Sequence, residues 1–432
     1  MTREELLEAL RVHGRGSSSF LLTYGGFEWF RNEEPPGLLA YVRSGRTLVV
    51  AGEPLCAREH TAAVLRSFAR AMGRRCRIAL LPVGGAAADT LASAGFGALQ
   101  VGSEPYFDLA TWRPCGDRAK KVRSAVNQAR RTGVQVAAYR ADAGRDPALE
   151  AELRGCADAW LAGRPLMPMR FLLALRPLDG AEEKRYFVAR HGGRVVGFVA
   201  CSPIYARRGW YLEDVVRTPD APHGVTEMLV TAALHALAAE GAREATLGVS
   251  PLAGLEAAGG RRWIHRLLRL ARVMGEPFYH FRGLHHYKKK YAPTSWEPVY
   301  VIFRPDRVTP GLIVDLVNAF LPRGIVGLVR DPIARRASTA AGWIAAASRV
   351  SAKGARRVGR RLAPMAPAFA LATVTAALLL ALRLHGPTVE ELRDALRALH
   401  RPHVPRTRGV GVAVVLAVSG GAAYLAYRRG RA

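Results

Sequence analysis

A glutamate, an aspartate and an arginine crowd the segment WYLEDVVRTPDAPHGVTEML, residues 210–229. Its first part has the make-up of a strand, and the run from about Pro222 to Ala239 that of a helix. Glu213, Asp214 and Arg217 therefore fall at the carboxyl edge of a strand, where groups that act on ligands gather in α/β sheets. Asp214 and Arg217, three apart, offer one site an acceptor and a fixed cation. A salt-bridged pair without chemistry would read the same way.

Other chemistries find less support. The five cysteines, Cys56, Cys76, Cys115, Cys156 and Cys201, never form a CxxC pair, so neither a disulfide framework nor a zinc site is indicated. His285 and His286 are adjacent and would diverge on a helix, so no metal is expected. The compact R/Q-x-x-G-x-G/A loop with which acetyl-CoA enzymes cradle pyrophosphate is missing, because Arg217 is followed by a single Gly224. No cofactor is expected. Lys120, Lys121, Arg123, Arg130 and Arg131 lie on a basic helix over residues 117–132, suited to RNA backbone but equally to a solvated face.

The elements that must position these residues fall into two cycles. Residues 38–42 and 47–51 read as a hairpin about Ser44-Gly45-Arg46, followed by a helix over 59–72, a strand over 76–83, a helix over 86–94 and strands at 98–101 and 106–109. Residues 186–190 and 195–203 form a second hairpin, followed by a strand over 209–216, the helix from Pro222 and a strand at 244–248. The order hairpin, strand, helix, strand is that of the GNAT acyltransferase core. The fold class expected is α/β, with tandem GNAT-like (dupli-GNAT) acyltransferase domains. Their boundaries are placed at 1–116 for the N-terminal domain, 117–133 for the basic linking helix and 134–305 for the catalytic domain.

Lysine and arginine number 63 against 35 acidic residues, a net charge of +28 over 432 residues, which predicts an anionic partner such as RNA or an acidic membrane surface. The N-terminus carries adjacent glutamates and no apolar h-region, so a cleaved signal peptide is not expected. An amphipathic and basic juxtamembrane segment is placed at 306–362, its apolar part over 308–329 closing the fold or lying on the bilayer. A two-helix transmembrane anchor is placed at 363–432, in the uncharged stretches 363–382 and 409–427. Basic flanks on both sides put the two ends in the cytoplasm.

The segment at 210–229 resembles the DUF2156 family, the synthase part of aminoacyl-phosphatidylglycerol synthases, whose motif reads D-x-x-R-x-x-P-x-A-P-x-G. LGVSPLAG at 247–254 is similar to the family's LGxAPLSG, and FYHFRGLHHYKKKYAP at 278–293 to its FYNFKGLxxFKxKFxP. WEPVY at 296–300 matches its WEPxY, and VAGEP at 50–54 its GDP motif. The resemblance covers roughly residues 20–304. It implies an enzyme that takes an aminoacyl group from charged tRNA and gives it to a hydroxyl of an anionic membrane lipid such as phosphatidylglycerol, at the inner membrane of a bacterium with the catalytic domains facing the cytoplasm. The family's important acid and arginine fall on Asp214 and Arg217, and its tail lysine on Lys288 or Lys290. Glu213, Gly224, Tyr279, Arg282 and Lys290 complete the candidate substrate-binding set, while the aromatic group Tyr279, Phe281, Tyr287 and Tyr291 reads as core rather than as base-stacking platforms. One departure concerns the donor. Members commonly read S-D-E-W-L where this chain has Ala157-Asp158-Ala159-Trp160-Leu161, so the amino acid stays unnamed. An acyl-CoA N-acyltransferase, a Fem-like transferase acting on peptidoglycan precursors, and a non-catalytic binder of RNA or anionic lipid are the alternatives.

Overall fold

Thr2 starts the first helix, α1 (Arg3–His13), through a capping box: its hydroxyl accepts from the Glu5 amide while the Glu5 carboxylate accepts from the Thr2 amide. The computed structural model describes residues 1–73, 75–163, 171–173, 175–253, 281–320, 410–416 and 423–429. After α1, strands β1 (Glu28–Asn32), β2 (Gly37–Ser44) and β3 (Thr47–Ala51) form an antiparallel meander. Helix α2 (Thr61–Ala71) then crosses to β4 (Arg77–Gly84), parallel to β3. Helix α3 (Gly85–Ser93), strand β5 (Gly97–Asp108) and helix α4 (Lys120–Arg131) follow.

The same order returns in β6 (Gln135–Tyr139), α5 (Pro147–Ala162), β7 (Arg185–His191), β8 (Arg194–Ile204) and β9 (Gly209–Arg217). Helix α6 (Val225–Ala239) crosses to β10 (Glu244–Thr246), parallel to β9. The short β11 (Ser250–Pro251), α7 (Phe281–Lys289), β12 (Ser295–Arg304) and α8 (Pro310–Phe320) complete this unit. The turns are where sequence chemistry puts them: Gly45 takes positive φ between β2 and β3, as do Gly192 and Gly193 between β7 and β8.

The two cycles share one sheet, in the order β1-β2-β3-β4-β12-β5-β10-β9-β8-β7-β6. That order is nearly symmetric about the β12–β5 pair. Each cycle sends its last long strand across to the other, β5 to lie beside β10 and β12 beside β4. Helices α2 and α3 cover one side of the first half around Phe68 and Leu80. In the second half α4 and α6 cover one face around Leu229 and Val199, and α5 the other around Leu153 and Phe198. Central strand β8, buried on both faces, therefore reads as a continuous apolar run without alternation.

Three expectations change. The strands expected at 98–101 and 106–109 are one strand, β5, paired with β12 along its length through a register shift beside Gly102. The apolar stretch expected near 308–329 begins as α8, docked on β2 and β3 by Asp315. That carboxylate accepts from the Arg46 amide, the Thr47 hydroxyl and the Arg77 guanidinium, the last at 2.8 Å. In a second compact unit, Leu321–Ala432, β13 (Val410–Leu416) pairs antiparallel with β14 (Ala423–Arg429), where a helix was expected over 409–427. Val412, Val414 and Val415 favour a strand, and Ser419-Gly420-Gly421 would break a helix. The stretch 363–382 lies outside the described residues, and no described helix is long and apolar enough to cross a membrane.

Candidate active site

Strand β9 runs antiparallel to β8 with Ala200 opposite Asp214 and Cys201 opposite Leu212, so Glu213 is the extra residue of a β-bulge. Alternation is broken there. Leu212 and Val215 both pack in the core under α6, whereas Val216 packs in the core under α5. Glu213 and Asp214 consequently share the side that faces Tyr24 and Tyr186, although neighbours in a regular strand would point apart.

The two carboxyl groups differ sharply in their partners. Glu213 accepts hydrogen bonds from the Tyr24 hydroxyl at 2.7–2.8 Å and from the Ser202 hydroxyl. Its Oε2 also lies 3.3 Å from the ammonium of Lys184, which is fully buried. Asp214 is buried too, and its Oδ2 has no hydrogen-bond partner. Burial, reinforced by the Glu213 charge and only partly offset by Lys184, pushes the Asp214 carboxyl well above the usual carboxylate range. A buried carboxyl oxygen without a hydrogen-bond partner, beside an acid rich in partners, marks a candidate ligand site.

A second buried cluster adjoins the first. Strands β9 and β10 pair only as far as Tyr211 and Thr246; from there β9 continues along β8, while the segment after β10 stays with β5 through β11. At the root of this fork Thr246 donates to Glu104 at 2.9 Å and accepts from the Gly248 amide. Lys288, from α7, donates to the carbonyls of Gly248 and Val249 at 2.7 and 2.8 Å. Gly248 has φ +75 and packs on the Tyr211 ring, where a Cβ would collide. Burial raises the Glu104 carboxyl, with Ser17, Thr246 and Lys288 opposing; burial also lowers the Lys288 ammonium to about 7, with Glu104 opposing.

The lysine shift has a definite sign. Between about 7 and the ordinary 10.5 the unfolded chain holds a proton that the folded chain has released, so stability rises with pH through that window. The wild type is expected to exceed Lys288→Met in stability by more at pH 9.5 than at pH 7, read by urea melts. A pH-independent difference would mean the amine stays charged.

The remaining candidates scatter. Arg217, exposed at the end of β9, donates among the described residues to the Thr218 carbonyl, and alternation puts it on the face opposite Asp214. Lys290 is held by Glu227 at 2.5 Å and lies over the Tyr287 ring. Lys288 is a clamp on the loop after β10 rather than an open phosphate ligand. Tyr279 lies outside the described residues, as does the side chain of Arg282. On α4, Lys120, Lys121, Arg130 and Arg131 are exposed, while Arg123 folds back on the carbonyls of Pro114 and Gly116. Of the aromatic group, Tyr291 is fully buried and Tyr287 packs against the core of the second half, as read from the sequence.

Gly224 has a structural duty. With φ +89 it lets the start of α6 touch α4, and a Cβ there would overlap the Ala125 carbonyl oxygen. Gly224→Ala is expected to cost at least ~2 kcal/mol through left-handed strain and the clash. A melting temperature within a degree of wild type would disprove it.

Lys184, Tyr24, Ser202, Glu104, Thr246 and Ser17 were not legible as site residues. Only Lys184 and Glu104 carried a signal, a charge at the edge of or inside an apolar run; Tyr24 and Ser17 come from the first cycle. The motif glutamate Glu297 also proves structural: with Glu244 it grips Arg207, which lies over Tyr106 at 4.1 Å and ties the β8–β9 turn to β10 and β12. A cavity of about 390 Å³ at the other end of β9, by Trp210, is lined by charges that pair with one another, Arg185 with Glu240 and Asp142.

The family model described as phosphatidylglycerol lysyltransferase, C-terminal, matches residues 8–303. The lysylphosphatidylglycerol biosynthesis bifunctional protein LysX of Gordonia bronchialis is 29% identical over 263 residues, 58% of this chain and 23% of that protein. The phosphatidylglycerol lysyltransferase of Bacillus subtilis is 25% identical over 324 residues, 73% of this chain and 37% of that protein. The chain thus spans less than two-fifths of the length of either curated relative. Among solved structures, the C-terminal DUF2156 domain of a putative lysylphosphatidylglycerol synthetase from Agrobacterium fabrum superposes with a TM-score of 0.63 at 21% identity, covering 75% of this chain and all of that one. L-PGS from Bacillus licheniformis superposes with 0.62 at 21% identity, covering 74% and 97%. These two likenesses establish a shared fold.

Proposed function

We propose a function from the premise that this chain belongs to the phosphatidylglycerol lysyltransferase C-terminal family: it moves an aminoacyl group from charged tRNA to a hydroxyl of an anionic membrane lipid. The observation that carries the reading is Asp214, buried past the fork of the sheet with its Oδ2 lacking a hydrogen-bond partner. The aminoacyl ester of tRNA is already activated. A bond forms between the lipid oxygen and the acyl carbon, the bond from that carbon to the ribose oxygen breaks, and the proton of the attacking hydroxyl ends on the ribose. The protein's task is alignment and charge complementarity. Asp214 receives the α-ammonium of the aminoacyl group, and Arg217, exposed on the opposite face at the end of β9, would grip a phosphate outside that pocket. Lys288 holds the loop that borders the fork.

The two cycles of the sheet are read as tandem GNAT-like units that have exchanged their last strands. Attachment to the cytoplasmic face of a bacterial membrane rests on the uncharged stretch 363–382 and its preceding basic residues, Lys353, Arg356, Arg357, Arg360 and Arg361. The exposed cations of α4 would meet the tRNA backbone. Replacing Lys120, Lys121 and Arg130 by alanine should raise KM for charged tRNA and flatten the dependence of log KM on log salt by about one per lost phosphate contact. An unchanged slope would assign α4 to solvent.

The test uses phosphatidylglycerol vesicles, the full chain and tRNAs each charged with one labelled amino acid, with label sought in the lipid extract before and after RNase treatment of the donor. RNase-sensitive labelled lipid supports the reading. No labelled lipid from any tRNA, together with turnover of acetyl-CoA, would sink it.

A further inference from the structure

We propose that Lys184 sets donor specificity: its ammonium occupies the cation place at Glu213, leaving Asp214 to hold a single substrate ammonium, so the aminoacyl group accepted has an uncharged side chain. This rests on the reading of the site as an aminoacyl pocket. Lys184 follows the 3-10 turn Ala181–Glu183 and is fully buried. Its ammonium has three acceptors inside the fold: Glu213 Oε2 at 3.3 Å and the carbonyls of Arg176 and Pro177 at 3.2 and 3.3 Å. It also lies 4.8 Å from the centre of the Tyr24 ring. Two of its protons go to the carbonyls, and its charge is paired with Glu213.

Glu213 is likewise engaged. Ser202 and Lys184 both reach Oε2, and the Tyr24 hydroxyl lies against both oxygens, so a second cation at Oε2 would have to displace Lys184. Charge then decides. Glu213 and Lys184 cancel, and one ammonium cancels Asp214. An alanyl, seryl or leucyl donor brings one positive charge, its α-ammonium. A lysyl donor brings two, and the second would sit buried beside Lys184 with no acid left to meet it, which is strongly unfavourable. Shortening Lys184 empties a cation place at Glu213 that a lysyl side chain from the substrate can refill.

The experiment has a binding arm and a transfer arm. In the first, alaninamide, leucinamide and lysinamide are titrated calorimetrically into the full chain at neutral pH. In the second, tRNAs charged with labelled alanine, leucine or lysine are fed to the vesicle assay. The uncharged amides are expected to bind at least tenfold more tightly than lysinamide. Lys184→Ala should narrow that ratio at least tenfold, and lysinamide should raise its melting temperature, a readout that a merely structural lysine would not move. Lysinamide binding the wild type as tightly as the others, binding of no amide, or lysyl transfer equal to that of the uncharged residues would each overturn the proposal. Should Lys184→Ala fail to fold, the wild-type order decides alone. If the amide order holds while no tRNA labels the lipid, the transfer reading falls and the assignment of Lys184 stands.

Discussion

Asp214→Asn is expected to cut aminoacyl transfer by two to three orders of magnitude and, in the same protein, to raise the melting temperature by a few degrees. The two effects have one cause. Asparagine keeps the shape of the side chain but cannot carry the charge that a bound ammonium needs. Leaving that ammonium buried without a counter-charge costs about 3–4 kcal/mol, or roughly 10²–10³ in rate. In the free protein the sign reverses, because the carboxyl is buried, lacks a hydrogen-bond partner at Oδ2 and is held above its ordinary range. An acid whose folded pKa is raised costs stability as pH climbs above the unfolded value, since folding then requires a charge to be buried or a proton to be taken up. The stability advantage of Asp214→Asn should therefore be small near pH 4 and grow toward pH 8. Thermal melts at both pH values and kcat/KM for charged tRNA check the pair of effects; a variant that is both active and no more stable would show that Asp214 is an ordinary structural acid. The wild-type rate should also fall with acidification earlier than an exposed carboxylate would require.

Lys184→Met is expected to lose on the order of 3–5 kcal/mol of stability, because it leaves the Glu213 carboxylate buried with hydroxyl donors and no cation. Methionine fills much of the same volume, so the loss reports the charge rather than a cavity. Adding Glu213→Gln should recover most of it: the amide can still pair with Tyr24 and Ser202, and no uncompensated charge remains. Urea unfolding of the two single variants and the double variant closes the cycle. A Lys184→Met protein within about 1 kcal/mol of wild type would mean that the pair contributes as little as an exposed salt bridge does.

Both predictions turn on the β-bulge at Glu213. Without it the two acids would face opposite sides of β9, Glu213 toward one core and Asp214 toward the other, and neither an uncompensated Asp214 nor a lysine-filled Glu213 would exist as a unit. The bulge lies just past Tyr211, where the pairing of β9 with β10 ends.

Much of this was legible in the chain. Hairpins, crossover helices and most strand positions follow from apolar periodicity and from glycines at positive φ, because those signals act over a few residues. The motif around Asp214 marked the right strand, and the family's motifs marked the right fold. What periodicity cannot express is pairing between residues far apart. That β5 joins β10 while β12 joins β4 is decided by side-chain fit across a sheet, so one strand was read as two. Asp214 and Arg217, three apart on a strand, fall on opposite faces by alternation, whereas the bulge that sets Glu213 beside Asp214 depends on pairing with β8. Lys184, Tyr24 and Ser202 converge on Glu213 from three segments that share no pattern. Which acid is rich in partners and which keeps an oxygen without one is a property of packed neighbours and lost water, and it comes into being only when the sheet has closed.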